Sequence, residues 1–374
     1  MGALKKILQE VLRVLKDVDV IVLLVAGPVA LTVLFGGVYL NSYVQDIPIA
    51  VLDEDNSSMS RMIVQQFREN DRFNIKYEVS DQQELRSRID SRNVYMGLYI
   101  PRNFSGDVAN MRSSEILVLV DGTNLVVGNN SFAAASGIIQ SIAAGVNIKL
   151  LETKGIMPQT AKNMGLVFNF NDRTLYDPRM TYMNYMLLGF VAVFLQQVML
   201  SGVGISLVKS GTEIAGTKTV RCILTKIVSC AVFALSSTTA ALAIAAYGFK
   251  VPIRGSIFVA FLLCAVFVFA ISCPAILMAA LTKDKLKFAQ IAFMLSLPAF
   301  VSCGYVWPQD QMPQAVTMLI KLFWPLINFA RPFDEVLVKG LAFEAVKGSI
   351  IQMLAYTALW FPISVAVFKR SFRT

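Results

Sequence analysis

Residues Gly255–Thr282 read GSIFVAFLLCAVFVFAISCPAILMAALT, without a single Asp, Glu, Lys or Arg, and Lys283, Lys285 and Lys287 follow at once. About 20 apolar residues cross a hydrocarbon core of roughly 30 Å, so this stretch reads as a transmembrane helix. Further uncharged stretches of comparable length fall near Val20–Leu40, Thr181–Val208, Ile227–Phe249, Phe288–Val306 and Ile350–Phe368. The 374 residues are 55% hydrophobic and only 16% charged, against about one quarter charged in a soluble chain. The expected fold class is therefore membrane α-helical, with about six transmembrane helices and one sizeable α/β extracytoplasmic domain between the first and second.

The net charge of +9 is spent at span ends. Lys5, Lys6, Arg13 and Lys16 precede the first span, and Lys209, Lys218, Arg221 and Lys226 lie between the second and third. The three lysines follow the fourth, and Lys369, Arg370 and Arg373 close the chain. These places alternate, as the positive-inside rule requires of cytoplasmic segments, so both termini are expected inside. Anionic membrane lipids, not nucleic acid, are the partners this pattern predicts. Leu125–Ile148 is also uncharged, but it is built from Gly, Ala, Ser and Asn, which insert poorly, and it is read as an outer helix instead of a weak span.

The chain is expected to divide as follows. Residues 1–19 form a cytoplasmic amphipathic helix, with Leu4, Ile7, Leu8, Val11, Leu12 and Leu15 on its apolar side, and 20–40 form the first span. Residues 41–180 form the outer domain, 181–369 a five-helix membrane domain, and 370–374 a tail. In the outer domain, IPIAVLDED from Ile47, FNIKYEV from Phe73, YMGLYIP from Tyr95 and EILVLVDG from Glu115 read as strands. Met59–Arg68 reads as a helix, Ser80 with Gln83 as a capping box for a second, and Leu125–Leu151 as a long third. All five cysteines lie in or beside spans, so no disulfide holds the outer domain.

Histidine is absent, which excludes histidine triads and histidine-ligated metal or haem sites, and no cysteine cluster has zinc spacing. Asp53, Asp55, Asp121, Asp172 and Asp177 read as turn residues beside strands, not as a catalytic set. No ionisable residue lies within a span, where an ion-driven transporter would carry one. Nor is there a phosphate-binding loop, since GTEIAGTKT at Gly211–Thr219 has Thr217 where the lysine belongs. Such a chain is either passive or driven by a separate subunit. A receptor or scaffold that binds protein through its outer domain is the rival reading.

Four stretches resemble a known family. IAVLDEDNSSMSR from Ile49, YMGLYIPRNFSGDV with VLVDGTN, SGTEIAGTKTVR from Ser210, and CGYVWPQDQMPQAVTMLIKLFWPLINFARPFDEVLVKG from Cys303 are similar to the type-2 ABC transporter permeases that carry a large domain after the first span. The coupling segment departs from the usual pattern, with Ser210 and Gly211 before Glu213 and Lys218 after Thr217, and Arg331 before Pro332 is a displaced match. The resemblance implies a bacterial inner-membrane exporter subunit with no catalytic site and no cofactor of its own. ATP and Mg are used by a cytoplasmic ABC ATP-binding subunit docked on 209–222 through Thr212, Glu213, Gly216, Thr217 and Arg221. It further implies a second permease copy or close paralogue, with Gly189, Gly202 and Gly204 allowing close helix approach; packing within one subunit is the competing reading of those glycines. The segment 304–345 is expected to be re-entrant on the outer side, with Tyr305, Trp307, Pro308, Pro313, Trp324 and Pro325 as gate residues or as an interfacial aromatic belt. The cargo is expected to be amphipathic, lipid-like or drug-like, and the outer domain to meet the cargo or a periplasmic adaptor protein.

Overall fold

The computed structural model describes residues 11–12, 22–40, 44–165, 175–177, 181–214, 216 and 218–373. The amphipathic leader apart from Val11 and Leu12, Asp172 and Thr217 lie outside them. In chain order the elements are α1 (Gly27–Val38), β1 (Ile47–Asp53), α2 (Ser58–Arg68), β2 (Phe73–Glu78), α3 (Gln82–Asp90), β3 (Met96–Ile100), α4 (Phe104–Ala109), β4 (Leu117–Val120), α5 (Leu125–Thr153) and α6 (Pro158–Gly165). There follow α7 (Tyr182–Lys209), α8 (Gly211–Ile214), α9 (Thr219–Ala243), α10 (Ile257–Thr282), α11 (Lys285–Ser302), α12 (Gln314–Phe323), α13 (Ala330–Lys339) and α14 (Phe343–Ser371). The chain forms two compact units, residues 43–173 and residues 1–42 with 174–374.

In the 43–173 unit the strands order as β2-β1-β3-β4, with β1 parallel to both β2 and β3 and β4 antiparallel at the edge. The central strand IPIAVLD is nearly continuously apolar because both its faces are covered. On one face Ile47, Ile49, Val51, Met96 and Leu98 meet Ile63 and Phe67 of α2 and Ala135 of α5. On the other, Ala50 and Leu52 meet Val79, Leu85 and Val94. The aspartates do turn chemistry. Asp53 Oδ1 accepts the backbone N–H groups of Asp55 and Asn56 while Oδ2 accepts the Ser60 hydroxyl, and Asp121 accepts the N–H of Thr123. Desolvation acts to raise the Asp55 carboxyl, but hydrogen bonds from Ser57, Ser105 and the Phe104 backbone together hold it below its ordinary range.

The cap expected at Ser80 with Gln83 sits one residue on. Asp81 accepts the Glu84 N–H at 2.7 Å, and Glu84 reaches back to the Ser80 N–H. The reciprocal box belongs instead to Ser57 and Ser60 at the start of α2.

The other unit is built around α7, whose residues are mostly buried and which touches α1, α9, α10, α11 and α13. Among the described residues five helices are long and apolar enough to cross a membrane: α5, α7, α9 with its continuation to Gly248, α10 and α14. This differs from the six spans expected. The first expected span is described only as a shorter apolar helix, Leu24–Val38, and the fifth is α11, whose first turns carry Lys285, Lys287 and Gln290. Helix α5 passes by length and composition, yet its first half is part of the sheet unit: Ser131 and Ala135 are buried there, and Asn124 caps it through the N–H groups of Val126 and Val127. Helix α9 starts at Thr219, two turns before the expected Ile227, because Lys226 is accommodated inside it with Nζ 2.8 Å from Ser206 Oγ.

Candidate functional site

Two regions of the 1–42/174–374 unit gather the residues singled out above. At one end α8 is a single turn between α7 and α9. Gly211 and Ile214 face inward, and a Cβ on Gly211 would overlap the Phe372 ring at the end of α14. Ser371 Oγ bonds the Ala280 carbonyl at 2.6 Å, and Lys283 lies over the Phe372 ring, so the end of α10 joins the same brace. Thr212, Glu213, Gly216, Lys218 and Arg221 are all exposed, and Thr219 Oγ1 closes the turn on the Gly216 carbonyl at 2.5 Å. A short helix fixed on its inner face, with its outer face presenting one carboxylate among basic and hydroxyl groups, suits docking of another protein.

The other region is the stretch from Cys303 to Gly340. Tyr305 is buried, its ring wedged where Gly189 leaves room, and its hydroxyl donates to the Tyr185 carbonyl. In return the Tyr185 hydroxyl donates to the Tyr305 carbonyl at 2.6 Å, and the rings stack at 5.4 Å. An aromatic column continues through Phe300, Phe190 and Phe35. Trp324 is half-buried and donates Nε1–H to Gln196 Oε1 at 2.8 Å; Gln196 lies 3.4 Å from Ser296, whose hydroxyl donates to Gln197 Oε1 at 2.5 Å. Pro325 is buried below it, whereas Trp307, Pro308 and Pro313 are exposed. Gln309 fastens the turn by donating to the Cys303 and Ile327 carbonyls, and α14 satisfies the last carbonyls of α12 through Trp360 and Tyr356.

The six expected gate residues therefore divide. Tyr305 and Trp324 bond to α7 and Pro325 is buried next to Trp324, while the other three are exposed. Tyr185, Gln196, Gln197 and Asp334 were not anticipated. The amide pair in FLQQVML was the available signal, since polar residues inside a span usually have a partner; the Tyr185–Tyr305 clasp spans 120 positions and left no local trace.

The three glycines expected at a dimer face are used within the chain. A Cβ on Gly189 would overlap Tyr305, one on Gly204 would overlap the fully buried Phe288 ring, and one on Gly202 would lie 2.8 Å from Leu24 Cδ2. Within this chain, the close approach they permit is to Tyr305, Leu24 and Phe288.

Asp334 of α13 brings a carboxylate to the clasp, with Oδ1 3.4 Å from the Tyr305 hydroxyl. Burial pushes its carboxyl up to about 7, partly offset by the Tyr305 hydrogen bond and Lys339, while Glu335 adds to the rise. A carboxyl raised in the fold contributes stability that is complete below its ordinary value near 3.8 and is lost as pH rises through about 7. The apparent melting temperature of the purified protein is therefore expected to fall between pH 5 and pH 8. Asp334→Asn, neutral throughout, should remove most of that fall, which corresponds to on the order of a few kcal/mol. An identical pH profile in the variant would refute the assignment.

The long apolar helices define a multi-spanning membrane protein; among the described residues no group of acidic or thiol side chains suits a metal. The ABC-2 family transporter proteins match residues 19–366, and the chain belongs to that family. It is 24% identical over 382 residues to the probable multidrug ABC transporter permease YbhR of Escherichia coli K12, covering 98% of this chain and 97% of that one. It is 25% identical over 337 residues to the inner membrane transport permease YhhJ of the same organism, covering 87% and 86%. The chain is thus a transmembrane permease subunit of an ABC exporter, not an enzyme, and it works with a cytoplasmic ATPase subunit in which ATP is hydrolysed.

Proposed function

We propose that this permease carries an amphipathic, lipid-like or drug-like cargo outward across a bacterial inner membrane, driven by ATP-binding subunits docked on the turn at α8. The carrying observation is that turn: Gly211 and Ile214 are held inside while Thr212, Glu213, Gly216 and Arg221 are presented together. Glu213 is the acidic contact, and Thr217 completes the set. The chain holds no cofactor; ATP and Mg belong to the partner.

In this reading α1, α7, α9, α10, α11 and α14 are the six spans, both termini and α8 are cytoplasmic, and residues 43–173 stand outside. The 303–340 stretch is then the outer gate, with the Tyr185–Tyr305 clasp and the Trp324–Gln196 bond as its latch. A second permease copy or close paralogue covers α11, whose Phe293, Met294 and Leu297 are exposed on an uncharged face. The multidrug wording attached to YbhR supports a drug-like cargo, membrane lipids flank the basic span ends, and a periplasmic adaptor is a compatible further partner.

The test is purification from native membranes in mild detergent, with mass spectrometry of co-purifying subunits and an ATPase assay. A bound subunit whose retention needs Gly211–Arg221 supports the docking reading. A stable assembly that keeps its ATPase after that segment is scrambled overturns it.

A further inference from the structure

The 43–173 unit contains a groove of about 740 Å³ that none of the roles above uses. Met59 and Ile63 of α2, Phe104 and Val108 of α4, and Ile142 and Val146 of α5 form its walls, and the volume falls within the roughly 300–1,000 Å³ typical of small-molecule sites. It lies along a helix whose most apolar stretch is only 11% buried. Three methionines, Met59, Met111 and Met164, line it, and their flexible side chains adapt to an alkyl chain of variable shape.

Its polar lining residues are Arg112, Ser113 and Ser114, which are contiguous, and Asn147 of α5. Arg112 is the one charged lining residue; it is exposed and has no ion pair among the described residues. Ser113 and Ser114 follow it on the lining, and Lys154 brings a second positive charge to the same end, its Nζ 3.0 Å from the Sδ of the lining Met111. No carboxylate lines the groove. An apolar trough with cations and hydroxyls at one end complements a ligand with an apolar tail and a negative head.

We propose that this groove binds a single-chain anionic amphiphile, its alkyl chain between α2, α4 and α5 and its carboxylate or phosphate head at Arg112. The proposal goes beyond the export reading and fails separately from it, because binding here requires neither the ATPase nor turnover. Bound lipid of this kind is matched by charge as well as by shape, which an apolar peptide segment would not be.

The test uses the full-length chain in nanodiscs and a palmitate analogue bearing a diazirine in its chain, with adducts mapped by mass spectrometry. Saturable adducts within residues 104–116 and 139–151 are expected. Displacement by unlabelled palmitate or by lysophosphatidylglycerol supports the site in either case, and the stronger competitor distinguishes a free fatty acid from a membrane-derived lipid. Arg112→Glu should cut labelling by the carboxylate probe about fivefold, as expected for loss of one exposed charge pair, while leaving labelling by the matching diazirine alcohol unchanged. Ala143→Trp should block both probes. Because Arg112 is exposed, its variant tests the proposal even if the tryptophan variant folds poorly. Adducts confined to the spanning helices, or equal carboxylate labelling of wild type and Arg112→Glu, would overturn it.

Discussion

Export by a Glu213→Ala permease is expected to fall at least about tenfold at equal membrane expression, a loss of roughly 1.4 kcal/mol or more in coupling. Glu213 is exposed on a turn whose inner residues, Gly211 and Ile214, carry the packing, so the variant should insert, fold and melt as wild type does. The loss should appear as ATPase subunit dissociating during purification, or as retained ATPase uncoupled from transport. Glu213→Asp, which keeps the charge, should retain more of both than Glu213→Ala. Export by Glu213→Ala indistinguishable from wild type would remove the carboxylate from the coupling role.

The second large effect is structural. Gly204→Leu forces a branched side chain into the Phe288 ring, which is fully buried and has no room to swing away. Overpacking of this kind costs about 3 kcal/mol, the upper part of its usual range. The apparent melting temperature in detergent should drop, and yield should fall several-fold. Gly348→Ala is the control: nothing lies within 4 Å of a Cβ there, and helix interiors favour alanine. Equal melting of Gly204→Leu and wild type would mean that α7 and α11 are not pressed together at this point.

Local patterns carried much of the fold. The expected strands at Ile47, Phe73, Tyr95 and Glu115 are present as β1 to β4, each with a start within two residues: β1 and β3 because a covered parallel strand is apolar along its length, and the edge strand β2 because its residues alternate. The long helix after Asn124 is present as well. Boundaries set by competing chemistry were less legible. Ser80 and Asp81 both suit a cap, each with a polar partner three residues on, and only the backbone geometry decides for Asp81. Lys226 was read as the edge of a loop, but a lysine with a hydroxyl partner at Ser206 sits comfortably within a helix. The glycines of α7 show the harder limit: a small residue records that something approaches closely, and not whether that neighbour belongs to the same chain.

The same holds for the two regions singled out. The exposed turn at α8 was legible, since its residues are contiguous. The clasp was half legible: tyrosine, tryptophan and proline mark the 303–340 stretch, but their partners Tyr185 and Gln196 lie more than a hundred positions away.

The chain has three tryptophans, Trp307, Trp324 and Trp360, and none lies in residues 43–173. Trp324 alone among them has its indole N–H bound to a buried side-chain amide, on Gln196. Excited at the tryptophan band, the protein therefore carries its own optical reporter for one latch: release of that bond into a wetter setting shifts emission to longer wavelength, and a Trp307→Phe, Trp360→Phe background isolates the signal during nucleotide cycling without any added dye.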